Sequence, residues 1–281
     1  MLHSYKESSS DLLPSYADFL FSLFQQGAFE KNFVGRPIRI AIDAGNGMGG
    51  HTAPAVMSQI NAVVDGIYFE LDGTFPNHEA NPIEAKNLID LQKLVRDKEA
   101  DIGLAFDGDA DRCFLVDEKG ELVSPSALTA LIAERELKKN PGSSIIYNLI
   151  CSRAVPEVIK ENGGVALRSR VGHSYIKKMM AENGAIFGGE HSGHFYFKDF
   201  WNADSGMLAA LHAIAALLDE QEPLSTLMSR FNRYSLSGEI NTRVEDTQAA
   251  IAKIKSEFAG SSQAVEFDEL DGLTVTSTDW S

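Results

Sequence analysis

Cysteine is scarce: Cys113 and Cys151 are the only two in 281 residues, and their separation offers no disulfide framework. That usage suits a reducing compartment. Basic side chains are also in short supply, with 25 Lys and Arg against 40 Asp and Glu and a formal net charge of −15. Without a basic surplus to neutralise phosphates, no general affinity for nucleic acid or for an anionic membrane is expected. An anionic ligand would need a locally basic pocket. Long apolar runs are missing too, since the longest apolar helical stretch, Gly206 to Leu218, contains His212 and is too short to cross a bilayer. The N-terminus has Lys6 but no basic cluster, and Asp18 and Ser22 interrupt the apolar residues around Leu20 to Phe24, so it does not read as a signal peptide. Neither low-complexity tracts nor repeats of solenoid period are evident. A cytoplasmic protein is expected.

What the chain does have is length and apolar content enough for two domains and part of a third. Leu13, Tyr16, Phe19, Leu20 and Leu23 stand at helical spacing behind an Asp11 cap, and predict a leading helix. Strands are predicted at Ile38–Ile42, Ile67–Asp72, Ile102–Phe106 and Cys113–Val116, with helices near Thr52–Pro54, over Ile83–Glu99 and over Pro125–Lys139. Pro141-Gly142-Ser143 reads as a boundary. Beyond it, strands are predicted at Ser144–Leu149 and Ala185–Phe187, and helices at Ala154–Asn162, around Ile176, Met179 and Met180, at Ser205–Leu218 and at Leu224–Phe231. The methionines read as core. A strand from Glu239 to Val244, a helix over Thr247–Phe258 and a strand at Leu273–Thr276 follow. This alternation predicts an α/β protein with mainly parallel sheets covered by helices on both faces. The expected organisation is a leading helix and linker (1–35), two successive three-layer α/β domains (36–140 and 141–236), and the start of a third, truncated α+β domain (237–281).

The densest chemistry lies in Asp107-Gly108-Asp109-Ala110-Asp111-Arg112. Three acids at alternate positions of a tight turn repel one another unless a cation sits between them. Hard oxygen ligands favour Mg²⁺, Mn²⁺ or Ca²⁺ over zinc, and the guanidinium of Arg112 suits a phosphate or carboxylate. An EF-hand is a poor fit, because Arg112 stands where that loop needs glycine and the flanks read as strands. An aspartyl-nucleophile phosphatase and a plain acidic hairpin turn are the other readings. Gly45, Gly47 and Gly50 after the Ile38–Ile42 strand fit G-x-G-x-x-G, with Glu70 and Asp72 ending the next strand. A dinucleotide-binding oxidoreductase would use that turn, whereas close packing of helix on strand explains it without a ligand. His78 reads as an exposed loop residue. Arg168, Arg170 and His173 at a strand-to-helix junction either hold an anion or form a solvated turn. In Gly189-Glu190-His191-Ser192-Gly193-His194, the residues Glu190, Ser192 and His194 alternate and would project from one side of an extended segment as a hydroxyl-binding array. His194 could also move a proton. No zinc-protease spacing is present there.

Taken in order, Asp43-Ala44-Gly45-Asn46-Gly47, Phe75-Pro76-Asn77-His78, Asp107 to Arg112, Val171-Gly172-His173-Ser174 and Gly189 to His194 resemble the alpha-D-phosphohexomutases, most closely their bacterial phosphomannomutase/phosphoglucomutase branch. The resemblance implies that domains 36–140 and 141–236 are the second and third of that family's four, and that 237–281 begins the fourth. It implies that Asp107, Asp109 and Asp111 ligate Mg²⁺ and that Arg112 assists at the transferring phosphoryl group. It also implies that Glu190 and Ser192 hold sugar hydroxyls. Arg170, Gly172 and His173 would line the substrate site, with His194 in positioning or proton transfer. The substrate implied is a mannose or glucose 1- or 6-phosphate. Ala110 and Ile150 depart from the family pattern, where many relatives carry glycine and some carry lysine. No Thr-Ala-Ser-His-Asn-Pro type loop and no Arg-Pro-Ser-Gly-Thr-Glu-Pro type loop occurs in these residues, and Ser8, Ser9 and Ser10 lack the phosphoserine context. A phosphoserine domain acting in trans is one implied partner, and a sugar-phosphate-binding module that transfers nothing is the alternative. Little or no mutase turnover is expected from these 281 residues alone, and substantial turnover in a coupled assay would contradict that.

Overall fold

The computed structural model describes residues 9–238, 240, 242–260, 264–278 and 280. After helix α1 (Leu13–Ser22), the first sheet is built from β1 (Ile38–Asp43), β2 (Ala62–Ile67), β3 (Ile102–Phe106), β4 (Cys113–Asp117) and β5 (Leu122–Val123), with α2 (Gly49–Met57), α3 (Ile89–Lys98) and α4 (Pro125–Lys139) interleaved. The second uses β6 (Ser144–Asn148), β7 (Val165–Ser169), β8 (Phe187–Gly189), β9 (Phe195–Phe197) and β10 (Ala203–Asp204), with α5 (Ala154–Glu161), α6 (His173–Asn183), α7 (Gly206–Glu220) and α8 (Leu224–Ser229). The strand orders are β2-β1-β3-β4-β5 and β7-β6-β8-β9-β10, so the two sheets repeat one topology. In each, three parallel strands are followed by two antiparallel ones. The sheets are therefore mixed, not mainly parallel, because the connections after the third strand of each are hairpins rather than crossovers.

Every residue of β3 and β4 is buried, as expected of strands covered on both faces. The layer between the two sheets contains α4 and α7. Helix α7 is buried without a break from Gly206 to Leu218, and the Oγ of Ser205 caps it by accepting from Leu208 N–H at 3.1 Å. Leu211 and Ile214 of α7 and Leu131 and Ile132 of α4 join one hydrophobic cluster with Leu104, Phe106 and Leu115 of the first sheet and Phe187, Phe195 and Phe197 of the second. The two domains share a core. Among the described residues no helix is long and apolar enough to cross a membrane.

Several predicted elements move. The strand expected at Ile67–Asp72 lies at Ala62–Ile67, in register with β1. Tyr68 then adopts φ 57°, and residues 68–72 wrap around Asn46, which donates to the Tyr68 carbonyl at 2.8 Å and to the Glu70 carbonyl at 2.9 Å. The Ile83–Glu99 helix is a 3₁₀ turn at Ala85–Leu88 followed by α3. The strand expected from Glu239 to Val244 falls partly outside the described residues, and its described members, Ile240 and Thr242 to Val244, have no regular structure. The third unit comprises α9 (Thr247–Ala259) and an antiparallel pair, β11 (Val265–Asp268) with β12 (Thr274–Ser277). The β11 strand has no counterpart in the sequence reading.

Leu211 is fully buried between the sheets. Replacing it with Ala should cost about 2–5 kcal/mol. Because both sheets pack on its helix, circular dichroism and tryptophan fluorescence should report one coincident unfolding transition in the parent and in Leu211→Ala.

Candidate active site

The hairpin between β3 and β4 carries the acids. Ala110 takes φ 62°, which reverses the chain at a position where only glycine is free of strain. The buried Asp107 carboxylate receives the backbone N–H of Arg112 at 3.1 Å and its Nε at 2.7 Å, while Arg112 Nη1 donates to Asn81 Oδ1 at 3.2 Å. The arginine is thereby pinned with its own loop. Asp107, Asp109 and Asp111 each bring a carboxylate oxygen within 4.8 Å of the others. Asp111 Oδ1 is buried and accepts no hydrogen bond. Burial first, and then the charges of Asp107, Asp109 and Asp204, push the Asp111 carboxyl up to about 7. A buried, unpartnered oxygen among like charges is the environment that a hard cation would satisfy.

Opposite this loop lies the hairpin between β8 and β9. Glu190 to His194 is a turn, not the extended segment expected: Gly193 N–H donates to the Glu190 carbonyl at 3.1 Å, and Glu190 N–H to the His194 carbonyl at 3.0 Å. The side chains still converge, by curvature rather than by alternation. Ser192 Oγ lies 2.9 Å from His194 Nδ1, and His194 Nε2 lies 3.6 Å from Asp111 Oδ1. The two hairpins are joined through the backbone, with Arg112 and His194 forming an antiparallel bridge and Cys113 N–H donating to the Gly193 carbonyl at 3.2 Å. Gly193, at φ 89°, is needed for this approach, because a Cβ there would sit 2.3 Å from the Phe114 ring. Burial pulls His194 below its ordinary 6.5 against the charges of Glu190 and Asp204, so its imidazole is neutral at pH 7. Glu190 is also buried. Its Oε1 receives Gly172 N–H at 3.1 Å and Asn148 Nδ2 at 3.3 Å, and its Oε2 receives Tyr196 Oη–H at 2.7 Å. Three of about four acceptor positions of the carboxylate are filled by protein.

The glycine loop after β1 packs on the acidic loop. A Cβ on Gly47 would lie 2.5 Å from the Gly108 carbonyl, and one on Gly50 2.2 Å from the Phe69 carbonyl. Met48 N–H donates to Gly108 at 2.9 Å. The surface where a dinucleotide pyrophosphate would approach is therefore covered by protein backbone, which favours the packing reading of Gly45, Gly47 and Gly50. Glu118, the twelfth residue counted from Asp107 and so the place of the last ligand in an EF-hand loop, instead accepts from Ser225 N–H at 3.0 Å. His78 is not the exposed residue expected: its Nε2 is 3.0 Å from Oδ2 of the buried Asp43, whose other oxygen accepts Gly45 N–H at 2.9 Å. Burial raises the Asp43 carboxyl, and His78 and Gly45 oppose that.

Two family models cover this architecture. The phosphoglucomutase/phosphomannomutase alpha/beta/alpha domain II model matches residues 14–120, and the corresponding domain III model matches 124–234. The chain belongs to this family. It is 39% identical over 240 residues to the phosphomannomutase of Methanocaldococcus jannaschii, an overlap of 84% of this chain and 52% of that protein. Its identity to the phosphoglucomutase of Neisseria meningitidis serogroup A is 37% over 263 residues, or 89% of this chain and 56% of that one. Among solved structures, a phosphoglucomutase/phosphomannomutase family protein from Burkholderia thailandensis superposes with a TM-score of 0.78 at 30% identity, covering 95% of this chain and 56% of that one. The chain thus spans about half the length of the curated relatives it matches.

Of the residues that the phosphohexomutase resemblance singled out, Asp107, Asp109, Asp111, Arg112, Glu190, Ser192 and His194 come together, with Gly172 tied in through Glu190. His173 is exposed at the first turn of α6. Arg170 does not join them by any hydrogen bond described; its Nη2 lies 3.4 Å from Asp271 Oδ1, and its guanidinium stacks over Tyr175. Sequence reasoning missed Asp204, which with Asp111 and His194 forms a second close group and pairs with Lys177 at 2.8 Å. Its only signal was an acid placed directly before the Ser205 cap of a helix that is apolar over most of its length.

The raised Asp111 carboxyl sets a pH dependence. Its protonated form stabilises the metal-free fold fully below the ordinary 3.8, and that contribution is lost as pH rises through about 7. Thermal melts across pH 4–8 without divalent ions should show this decline, and Asp111→Asn should flatten it.

Proposed function

We propose that this chain supplies the metal-binding and sugar-binding parts of a phosphohexomutase, which moves a phosphoryl group between C1 and C6 of a mannose or glucose phosphate. The observation that carries the reading is the Arg112–His194 bridge, which joins a hairpin bearing three carboxylates and a guanidinium to one bearing a hydroxyl and an imidazole. Asp107, Asp109 and Asp111 would hold Mg²⁺, and the buried lone oxygen of Asp111 supports that fit. Bound there, the ion supplies charge stabilisation to a phosphoryl oxygen. Arg112, held by Asp107 and Asn81, is oriented before substrate arrives and meets charge on the transferring group. Ser192 and the remaining acceptor position of Glu190 read sugar hydroxyls. His194, neutral and hydrogen-bonded to Ser192, can accept a proton from the attacking hydroxyl and return it. Arg170, Gly172 and His173 border the substrate side. The phosphoryl donor is a phosphoserine, in cis or in trans, outside the residues described. A cytoplasmic setting fits the cysteine usage.

Calorimetry should detect magnesium uptake by the chain, and Asp109→Asn, an exposed and fold-neutral change, should weaken it on the order of tenfold or more. No uptake, or equal uptake by parent and variant, would overturn the metal assignment. In an enzyme reassembled with a phosphoserine domain, His194→Ala should lower turnover by about 100-fold or more.

A further inference from the structure

Arg168 and Arg170 alternate along the chain as it leaves β7, with buried Ser169 between them, so both guanidinium groups emerge on one side. There they already hold anions. Arg168 Nη1 pairs with Asp268, Arg170 Nη2 lies 3.4 Å from Asp271 Oδ1, and Val171 N–H donates to Asp271 Oδ2 at 3.2 Å. Asp268 ends β11 and Asp271 lies in the turn that leads to β12. Tyr175 lies under the Arg170 guanidinium at 4.9 Å and fixes its plane. The Arg170 guanidinium and the Val171 N–H meet on one carboxylate, and Arg168, two residues earlier on the same side, holds a second; two guanidinium forks and a backbone N–H so placed are the donors a phosphate group would use.

We propose that Arg168, Arg170 and the Val171 N–H form a phosphate subsite, that the Asp268–Asp271 turn fills it in this structure, and that turn docking and phosphate binding exclude each other. The proposal rests on the reading of Arg170 as a substrate-binding residue and extends it to Arg168 and to the means by which the site is closed. The docked turn is weakly held. The paired side chains remain 29–46% exposed, a setting in which individual ion pairs contribute little. Among the described residues none beyond Phe231 joins a hydrophobic cluster, and α9 buries no residue. Further hydrogen bonds between the described residues of this unit and the second domain run from Arg168 Nη2 to Thr274 Oγ1 at 3.2 Å and from Arg153 Nη1 to the Ser277 and Thr278 carbonyls at 3.3 and 3.1 Å. A phosphate dianion carries on one ligand the charge that the two carboxylates divide between them, and in this proposal it takes their place on the arginines. The β11–β12 hairpin is then a strap over the anion end of the cleft, released by the ligand it guards.

Titration of the full chain with inorganic phosphate at low ionic strength, without magnesium, tests this directly. Amides of β11 and β12 should exchange faster with solvent as phosphate saturates. Asp268→Asn/Asp271→Asn should bind phosphate about three- to tenfold more tightly than the parent, and Arg170→Gln should bind it more weakly. Unchanged or slower exchange, or a double variant with no gain in affinity, would overturn the exclusion. Phosphate affinity indifferent to Arg170→Gln would overturn the subsite. A chain that answers to phosphate in this way but takes up no magnesium supports the subsite while counting against the proposed function.

Discussion

Arg112 and His194 meet as a single antiparallel bridge, and most of the local structure is arranged to permit it. For the two hairpins to touch, the chain must be bare at Gly193, where Phe114 leaves no room for a Cβ, and at Gly206, where a Cβ would lie 2.5 Å from the Arg112 carbonyl. The second of these lets the start of α7 sit directly beneath the acidic hairpin. The same helix continues into the shared core, so the position of the carboxylates is coupled to the packing of both sheets. The site is rigid because it lies over a buried helix and between two hairpins, rather than on free loops.

The electrostatics follow from that closeness. Asp111 is forced toward its neutral form and His194 is kept neutral, so without a cation the centre of the cleft avoids the charges its residues ordinarily carry. Asp107 differs, since Arg112 lies across both its oxygens. Glu190 differs again: three donors from three segments, Asn148, Gly172 and Tyr196, keep a buried carboxylate hydrogen-bonded. It ties the β8–β9 hairpin to the start of α6.

Much of this was legible in the sequence because the informative residues lie in short, local patterns. Asp107 to Arg112 between two apolar runs announced a hairpin of acids, and Pro125 to Lys139 announced a helix whose limits the structure repeats. What was not legible depends on distant partners. Ile67 to Asp72 has strand composition, yet past Ile67 hydrogen bonds to Asn46 bend the chain into a loop. His78 looks like any loop histidine until Asp43 is placed beside it. Asp204 carries no motif, and only the β8–β9–β10 order brings it to Asp111. Arg170 reads as an anion ligand from its neighbours alone, and the acid that meets it, Asp271, lies about a hundred residues onward.

The two sheets repeat one topology, and the bridged hairpins occupy the same place in each copy, between the third and fourth strands of the unit. The cleft is thus a pseudo-twofold contact of a duplicated element with itself, in which one copy kept acids and the other a hydroxyl and an imidazole. Such a contact has no slack in loop length. An insertion in either turn would slip the Arg112–His194 pairing by a residue and turn one set of side chains away from the other, so lengthening one arm would be tolerated only with a matching change in its counterpart.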